Sequence, residues 1–185
     1  MESSINPKRK PLPKRYFQIY TGNGKGKTTA ALGLALRAMG HGFRTYIGQF
    51  MKGQVCGELK ACSALAPSIT IEQYGNKRFS GNENAPKGKD LRMAKVGLEK
   101  ATKALLSCKY DIVVLDEIIT AHSFHLITLE EMLDIAAVKP TGVELVFTGR
   151  NAPPELIEKA DLVTEMKDVK HYFQRGIKAR RGIEH

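Results

Sequence analysis

Residues 21–29 read Thr21-Gly22-Asn23-Gly24-Lys25-Gly26-Lys27-Thr28-Thr29, a run with the chemistry of a polyphosphate grip. Glycines at alternate positions let consecutive N–H groups converge on one anion, which a Cβ at each position would prevent. Lys27 adds a mobile positive charge for the outer phosphates, and the Thr28 hydroxyl suits Mg²⁺. The whole run from Gly22 through Asn23, Lys25 and Gly26 to Thr29 is therefore a candidate ATP-binding segment. It departs from G-x-x-x-x-G-K-[ST] at one place: the first glycine is Thr21, and a glycine follows at 22. A glycine-rich turn without a ligand is the bland alternative, but turn geometry alone gives no reason for Lys27-Thr28.

A second chemical feature lies downstream. Ile112-Val113-Val114-Leu115 reads as a buried strand, and it ends in two carboxylates, Asp116 and Glu117. In phosphate-loop proteins such a strand is expected beside the loop, bringing a carboxylate to the Mg²⁺ shell. Val143 to Thr148 is a further strand whose tip carries Arg150, either a phosphate contact or a surface arginine. His122 and His125 are three apart, but no third ligand is spaced to join them in a metal site. Cys56, Cys62 and Cys108 lack C-x-x-C spacing and read as reduced thiols of a cytoplasmic protein.

The elements that must position these groups follow from apolar patterning. Six short apolar stretches, 16–20, 44–50, 69–74, 112–116, 143–148 and 162–166, read as strands. Thr29 to Met39, rich in Ala and Leu, reads as a buried helix opening directly after the glycine loop, where its N-terminal partial charge favours an anion. Leu91, Ala94, Leu98, Ala101 and Leu105 form an apolar stripe at helical spacing. Thr128 with Glu131 resembles a capping box, and Pro153-Pro154 suits a first helical turn. Alternating strands and helices favour an α/β fold with a mainly parallel sheet of about six strands, covered on both faces. Residues 51–62 and 75–89 read as irregular loops after strand ends, where ligands of open parallel sheets bind.

Composition bounds the partners. With 185 residues and 42% hydrophobic content, the chain suits one domain with a core of its own, and no apolar run reaches bilayer length. The net charge of +10 invites a nucleic-acid partner. The excess is concentrated at the two ends, however, and no aromatic-interleaved single-strand platform is evident. A polyanionic small ligand accounts for the basic ends at least as well.

The pattern as a whole resembles the phosphate-loop corrinoid adenosyltransferase family. The resemblance rests on Gly22 through Ala31, Gly48-Gln49-Phe50-Met51-Lys52-Gly53, Tyr110-Asp111 through Ile118, Phe147 through Arg150 with Pro153-Pro154-Glu155-Leu156, and Ala160 through Met166. The closing string Gly176-Ile177-Lys178-Ala179-Arg180-Arg181-Gly182-Ile183-Glu184 is the most particular to it. It implies a single-domain, RecA-like three-layer phosphate-loop fold over residues 16–185, preceded by a flexible basic arm over 1–15. It further implies transfer of the 5′-deoxyadenosyl group of ATP to Co(I) of a corrinoid, with triphosphate leaving and ATP lying reversed in the loop. Mg²⁺ is then held by Thr28, Asp116 and Glu117, with Lys27, Thr28 and Glu117 as catalytic residues and Phe79 and Lys52 at the corrinoid. Phe79-Ser80 matches the start of a Phe-Thr-Trp-like segment, but Gly81 stands where the Trp falls, and the chain has no Trp. An external electron donor and a homodimer complete the expectation.

Two other classes remain open. A small-molecule kinase or ATPase would employ the same loop and carboxylates but release ADP or phosphate. A nucleic-acid binder would use the basic ends and bind with steep salt dependence.

Overall fold

The computed structural model describes residues 14–76 and 88–184. Residues 1–13 of the basic arm and the segment containing Phe79 lie outside the described residues. Six parallel strands form one sheet: β1 (Phe17–Thr21), β2 (Thr45–Phe50), β3 (Ile69–Tyr74), β4 (Ile112–Asp116), β5 (Glu144–Thr148) and β6 (Leu162–Glu165), in the order β3-β2-β4-β5-β1-β6. Parallel neighbours cannot be joined by a tight turn, so the chain crosses between them through α1 (Lys27–Met39), α2 (Gly57–Ala64), α3 (Gly88–Leu106), α4 (Ile118–Ser123), α5 (Leu129–Ala137) and α6 (Pro154–Lys159). A short 3₁₀ turn, Tyr172–Arg175, follows β6.

The strand period of two divides the core into two halves. Val113, Leu115, Leu145 and Phe147 face one cluster with Ala94, Ala101, Ile119 and Leu156 from the helices. Ile112, Val114 and Val146 face the other, where they meet Ala31, Ala35 and Ala38 of α1. Successive residues of one strand thus serve opposite layers, which is why the central strands read as unbroken apolar runs.

Several local expectations change. The sheet is wholly parallel, and β5 lies between β1 and β4, so the carboxylate strand is two places from the strand that feeds the glycine loop. The fully buried apolar residues of helix α1 are alanines, with Leu32, Leu34 and Met39 packed at their margins, and Leu36 is 55% exposed, because the small side chains seat this helix on the sheet. The 51–62 stretch is only partly irregular, since α2 begins at Gly57. Leu91 leaves the α3 stripe and is exposed, whereas Ala94, Ala101 and Leu105 are buried. Strand β6 sits at the sheet edge with all four residues exposed. The Thr128–Glu131 capping box and the proline at the start of α6 are present.

Arg15 is seated on this domain. Its amide donates to the Thr141 carbonyl at 3.1 Å, and its guanidinium pairs with Asp111 at 3.0 Å.

Candidate active site

The glycine loop is held open by the chain leaving β6. Gly24 N–H donates to the Met166 carbonyl at 2.6 Å, and Met166 N–H donates to the Thr21 carbonyl at 2.8 Å. Gly22, at φ +98°, has no room for a side chain: a Cβ there would lie 2.4 Å from the Met166 oxygen. Lys27, the first residue of α1, is buried and arches back over the loop. Its ammonium donates to the carbonyls of Gly22 at 2.6 Å and Gly24 at 2.8 Å. Burial lowers its pKa, with the Glu117 carboxylate opposing that shift.

Strand register explains the second half of the site. Gln73, Gln49 and Asp116 occupy matched positions on β3, β2 and β4, and Thr148 ends the neighbouring β5. Side chains at matched positions of neighbouring strands stand on one face. They form a continuous line: Gln73 donates to Gln49 at 3.1 Å, Gln49 to Asp116 Oδ2 at 3.0 Å, and Thr148 to Asp116 Oδ1 at 2.8 Å. Thr28 donates to the same Oδ1 at 2.9 Å, and the Lys52 ammonium lies 2.9 Å from Oδ2. Asp116 is fully buried, and this donor set satisfies both of its carboxylate oxygens.

Glu117 turns away from that line. It adopts a left-handed conformation (φ 63°, ψ 17°), which costs about 1–2 kcal/mol for a residue with a Cβ. Its N–H is fastened to Thr148 Oγ1 at 2.9 Å, and Thr120 donates to its Oε2. The turn aims one carboxylate of the Asp-Glu pair inward and the other toward the pocket.

The pocket, about 550 Å³, is lined by Asn23 through Thr29 on one side and by Lys52, Glu58, Glu117 and Arg150 on the other. The structure therefore gathers most of the sequence candidates. Gly22 and Asp116 stand behind the wall rather than on it. Arg150 lines the pocket with an exposed side chain, its N–H donating to Thr120 Oγ1 at 3.1 Å. Lys52, expected at a corrinoid, has its ammonium in this pocket, 3.4 Å from Thr28 Oγ1 and 3.7 Å from Glu58. Burial acts to lower the Lys52 pKa, but the carboxylates around it, Asp116 foremost and then Glu117 and Glu58, together offset it and the pKa is raised.

Lys52 is placed by a backbone crossing. An added Cβ on Gly53 would lie 2.1 Å from the Gly75 oxygen, and one on Gly75 would lie 2.4 Å from the Met51 carbonyl carbon. The exits of β2 and β3 thus touch backbone to backbone. Gly53→Ala is expected to lower stability by about 3 kcal/mol, because neither backbone can yield as a flexible side chain would. Urea unfolding checks this; a change below about 1 kcal/mol would contradict it.

Sequence reasoning missed Gln49 and Thr148 as partners of Asp116, and Gln73 behind Gln49, although Gln49 and Thr148 lie inside motifs already singled out. It also missed that the chain's end lines the pocket with Gly182, Ile183 and Glu184. The unusual closing string was the available signal, but nothing in it says which element it packs against.

A glycine loop leading into a helix, with a carboxylate-tipped strand opposite, defines a phosphate-loop nucleotide-binding α/β protein. The family model for ATP:corrinoid adenosyltransferase BtuR/CobO/CobP matches residues 13–185. The chain is 35% identical over 166 residues to the corrinoid adenosyltransferase of Pseudomonas aeruginosa, covering 90% of this chain and 81% of that one. It is 36% identical over 168 residues to the corrinoid adenosyltransferase of Sinorhizobium sp (90% and 78%) and 33% identical over 168 residues to that of Escherichia coli strain K12 (90% and 84%). The chain belongs to the ATP:corrinoid adenosyltransferase family.

Proposed function

We propose that the pocket cradles the triphosphate of ATP while the 5′-deoxyadenosyl group passes to the reduced cobalt of a corrinoid. The observation that carries this reading is the family match over residues 13–185, whose terminal string forms part of the phosphate pocket. Co(I) supplies the electron pair and attacks C5′; the cobalt–carbon bond forms, the C5′–O bond breaks, and triphosphate leaves with the bonding electrons. Because the substrate is itself the nucleophile, the chain needs no serine, cysteine or general base. Its work is alignment and charge stabilisation.

Gly22 and Gly24 shape the loop, with the Gly24 N–H held by Met166, while the remaining loop N–H groups through Thr29, the Lys27 ammonium and Arg150 take the triphosphate, the loop gripping its far end. Lys52, an ammonium in the same pocket, serves the phosphates rather than the corrinoid. Phe79 remains the corrinoid candidate.

The residues present fit Mg²⁺. Thr28 and Glu117 offer hard oxygens to the pocket, and Asp116 holds the Thr28 hydroxyl from behind. Among the described residues no group of three or more His, Cys, Asp and Glu side chains is gathered to hold a metal. A cation here would therefore need phosphate oxygens to complete its shell, as Mg²⁺ in nucleotide sites does. When bound, Mg²⁺ would neutralise charge on the departing triphosphate.

We further assign an external electron donor, a homodimer and a cytoplasmic location. The first follows from the chemistry of Co(I), the second from family resemblance. The third is supported by three unpaired thiols. No helix among the described residues is long and apolar enough to cross a membrane.

Purified protein mixed with chemically reduced corrinoid, Mg²⁺ and ATP is expected to form a cobalt–carbon bond, read from the corrinoid absorption spectrum, with inorganic triphosphate as co-product. Release of ADP or orthophosphate without a new alkylcobalt species would instead identify a kinase or ATPase.

A further inference from the structure

Lys25 belongs to the phosphate loop, yet its ammonium is held by the end of the chain. It donates to Glu184 Oε1 at 2.9 Å, to Tyr172 Oη at 3.1 Å and to the Ile183 carbonyl at 3.2 Å. An ammonium has three donors, so all three go to residues 172–184. Glu184 has further partners. It accepts from the Arg180 amide at 2.7 Å, from the Arg180 guanidinium at 3.1 and 3.3 Å, and from the Tyr172 hydroxyl. The Tyr172 ring lies against both cations, 4.7 Å from the Arg180 guanidinium carbon and 5.9 Å from Lys25 Nζ. The Arg180 guanidinium, then Tyr172 and Lys25, hold the Glu184 carboxyl well below the usual carboxylate range. The Glu184 bond in turn raises the Lys25 ammonium.

We propose that Glu184 is a positioning residue for the nucleotide: it fixes Lys25 and draws residues 182–184 over the glycine loop as the outer wall of the triphosphate pocket. This rests on the ATP site proposed above. Two features suit the arrangement to that task. First, Glu184 remains satisfied by Arg180 and Tyr172 if Lys25 turns an N–H toward phosphate, so the exchange strands no carboxylate. Second, the Lys25 side chain is 41% exposed, a setting in which ion pairs add little to global stability. What the cluster provides is order. A loop cation and a pocket wall already in place spare the nucleotide the cost of arranging them.

The test uses the full chain and the variants Glu184→Gln, Lys25→Ala and the pair together. Two quantities are read: the ATP dissociation constant without corrinoid, and the initial rate of tryptic cleavage after Lys178, Arg180 and Arg181. Each single variant is expected to weaken ATP binding about five-fold and to speed cleavage by a similar factor, a size typical of coupled charge networks. The double variant should be no worse than Lys25→Ala, since both changes break one interaction. Wild-type ATP affinity in Glu184→Gln overturns the proposal, whatever the cleavage rate, because the segment would then be a structural tail alone. Losses that multiply in the double variant overturn it too. The cobalt–carbon assay is scored separately: tight ATP binding without corrinoid alkylation would refute the proposed activity while leaving the clasp standing.

Discussion

Replacing Lys27 by alanine lowers kcat/KM for adenosyl transfer by about 10³-fold, the upper range for loss of one preorganised electrostatic group. The ammonium is buried in the bend of the glycine loop and bonded to the carbonyls of Gly22 and Gly24. In the proposed reaction it stabilises the triphosphate that leaves with the bonding electrons of the C5′–O bond. Stability should change little, by about 1 kcal/mol or less. The two carbonyls lose a donor, but a desolvated cation is removed at the same time, and these contributions oppose each other. Single-turnover kinetics with pre-reduced corrinoid, alongside the thermal unfolding midpoint, check both halves. Lys27→Arg should not restore the rate, because the wider guanidinium fork cannot reproduce a point charge in that bend. A Lys27→Ala rate within tenfold of wild type would remove this residue from the mechanism.

Asp116→Asn is expected to destabilise the fold by about 3 kcal/mol, the scale of an uncompensated buried charge, and to cut turnover about 100-fold. The amide keeps the shape of the carboxylate but gives one side two donors. Directed at Gln49 and Lys52, the NH₂ meets other donors. Directed at Thr28 and Thr148, it forces both hydroxyls to turn, and Thr148 already accepts from the Glu117 N–H. Either orientation leaves the Lys52 ammonium without its closest anion. Adding Lys52→Met should recover part of the lost stability, because the stranded cation is then gone, but none of the turnover. Urea unfolding of the four-member cycle measures this. Equal stability of Asp116→Asn and wild type would show that the line of side chains is not what holds the site.

Much of the fold was legible because each strand is a short apolar run bounded by turn residues. Ile112 to Leu115 could hardly be anything but a buried strand, and its match to β4 is close. The glycine loop was legible because its residue types are fixed by what they bind. What escaped was relational. That β5 separates β1 from β4, and so presents Thr148 to Asp116, depends on sheet order, which patterning along one chain does not encode. Lys52 was expected at the corrinoid from the family resemblance, and nothing along the chain tied it to Asp116. Only the register of β2 against β4, with the contact of Gly53 on Gly75, brings its ammonium to Asp116. Leu36 and Leu91 show the converse error. Both are large and apolar, yet they face outward because alanines on the same helices make the closer fit to the sheet.

The row from Gln73 through Gln49 and Asp116 to Thr148 has a cost in tolerance. Inserting one residue into β4 would turn every later side chain of that strand to the opposite layer, placing Leu115 where the carboxylate stands. Strand lengths in the middle of this sheet are thus as constrained as any reacting group. Insertions should be accepted only beyond strand ends, at turns such as 141–142, where they leave that alignment undisturbed.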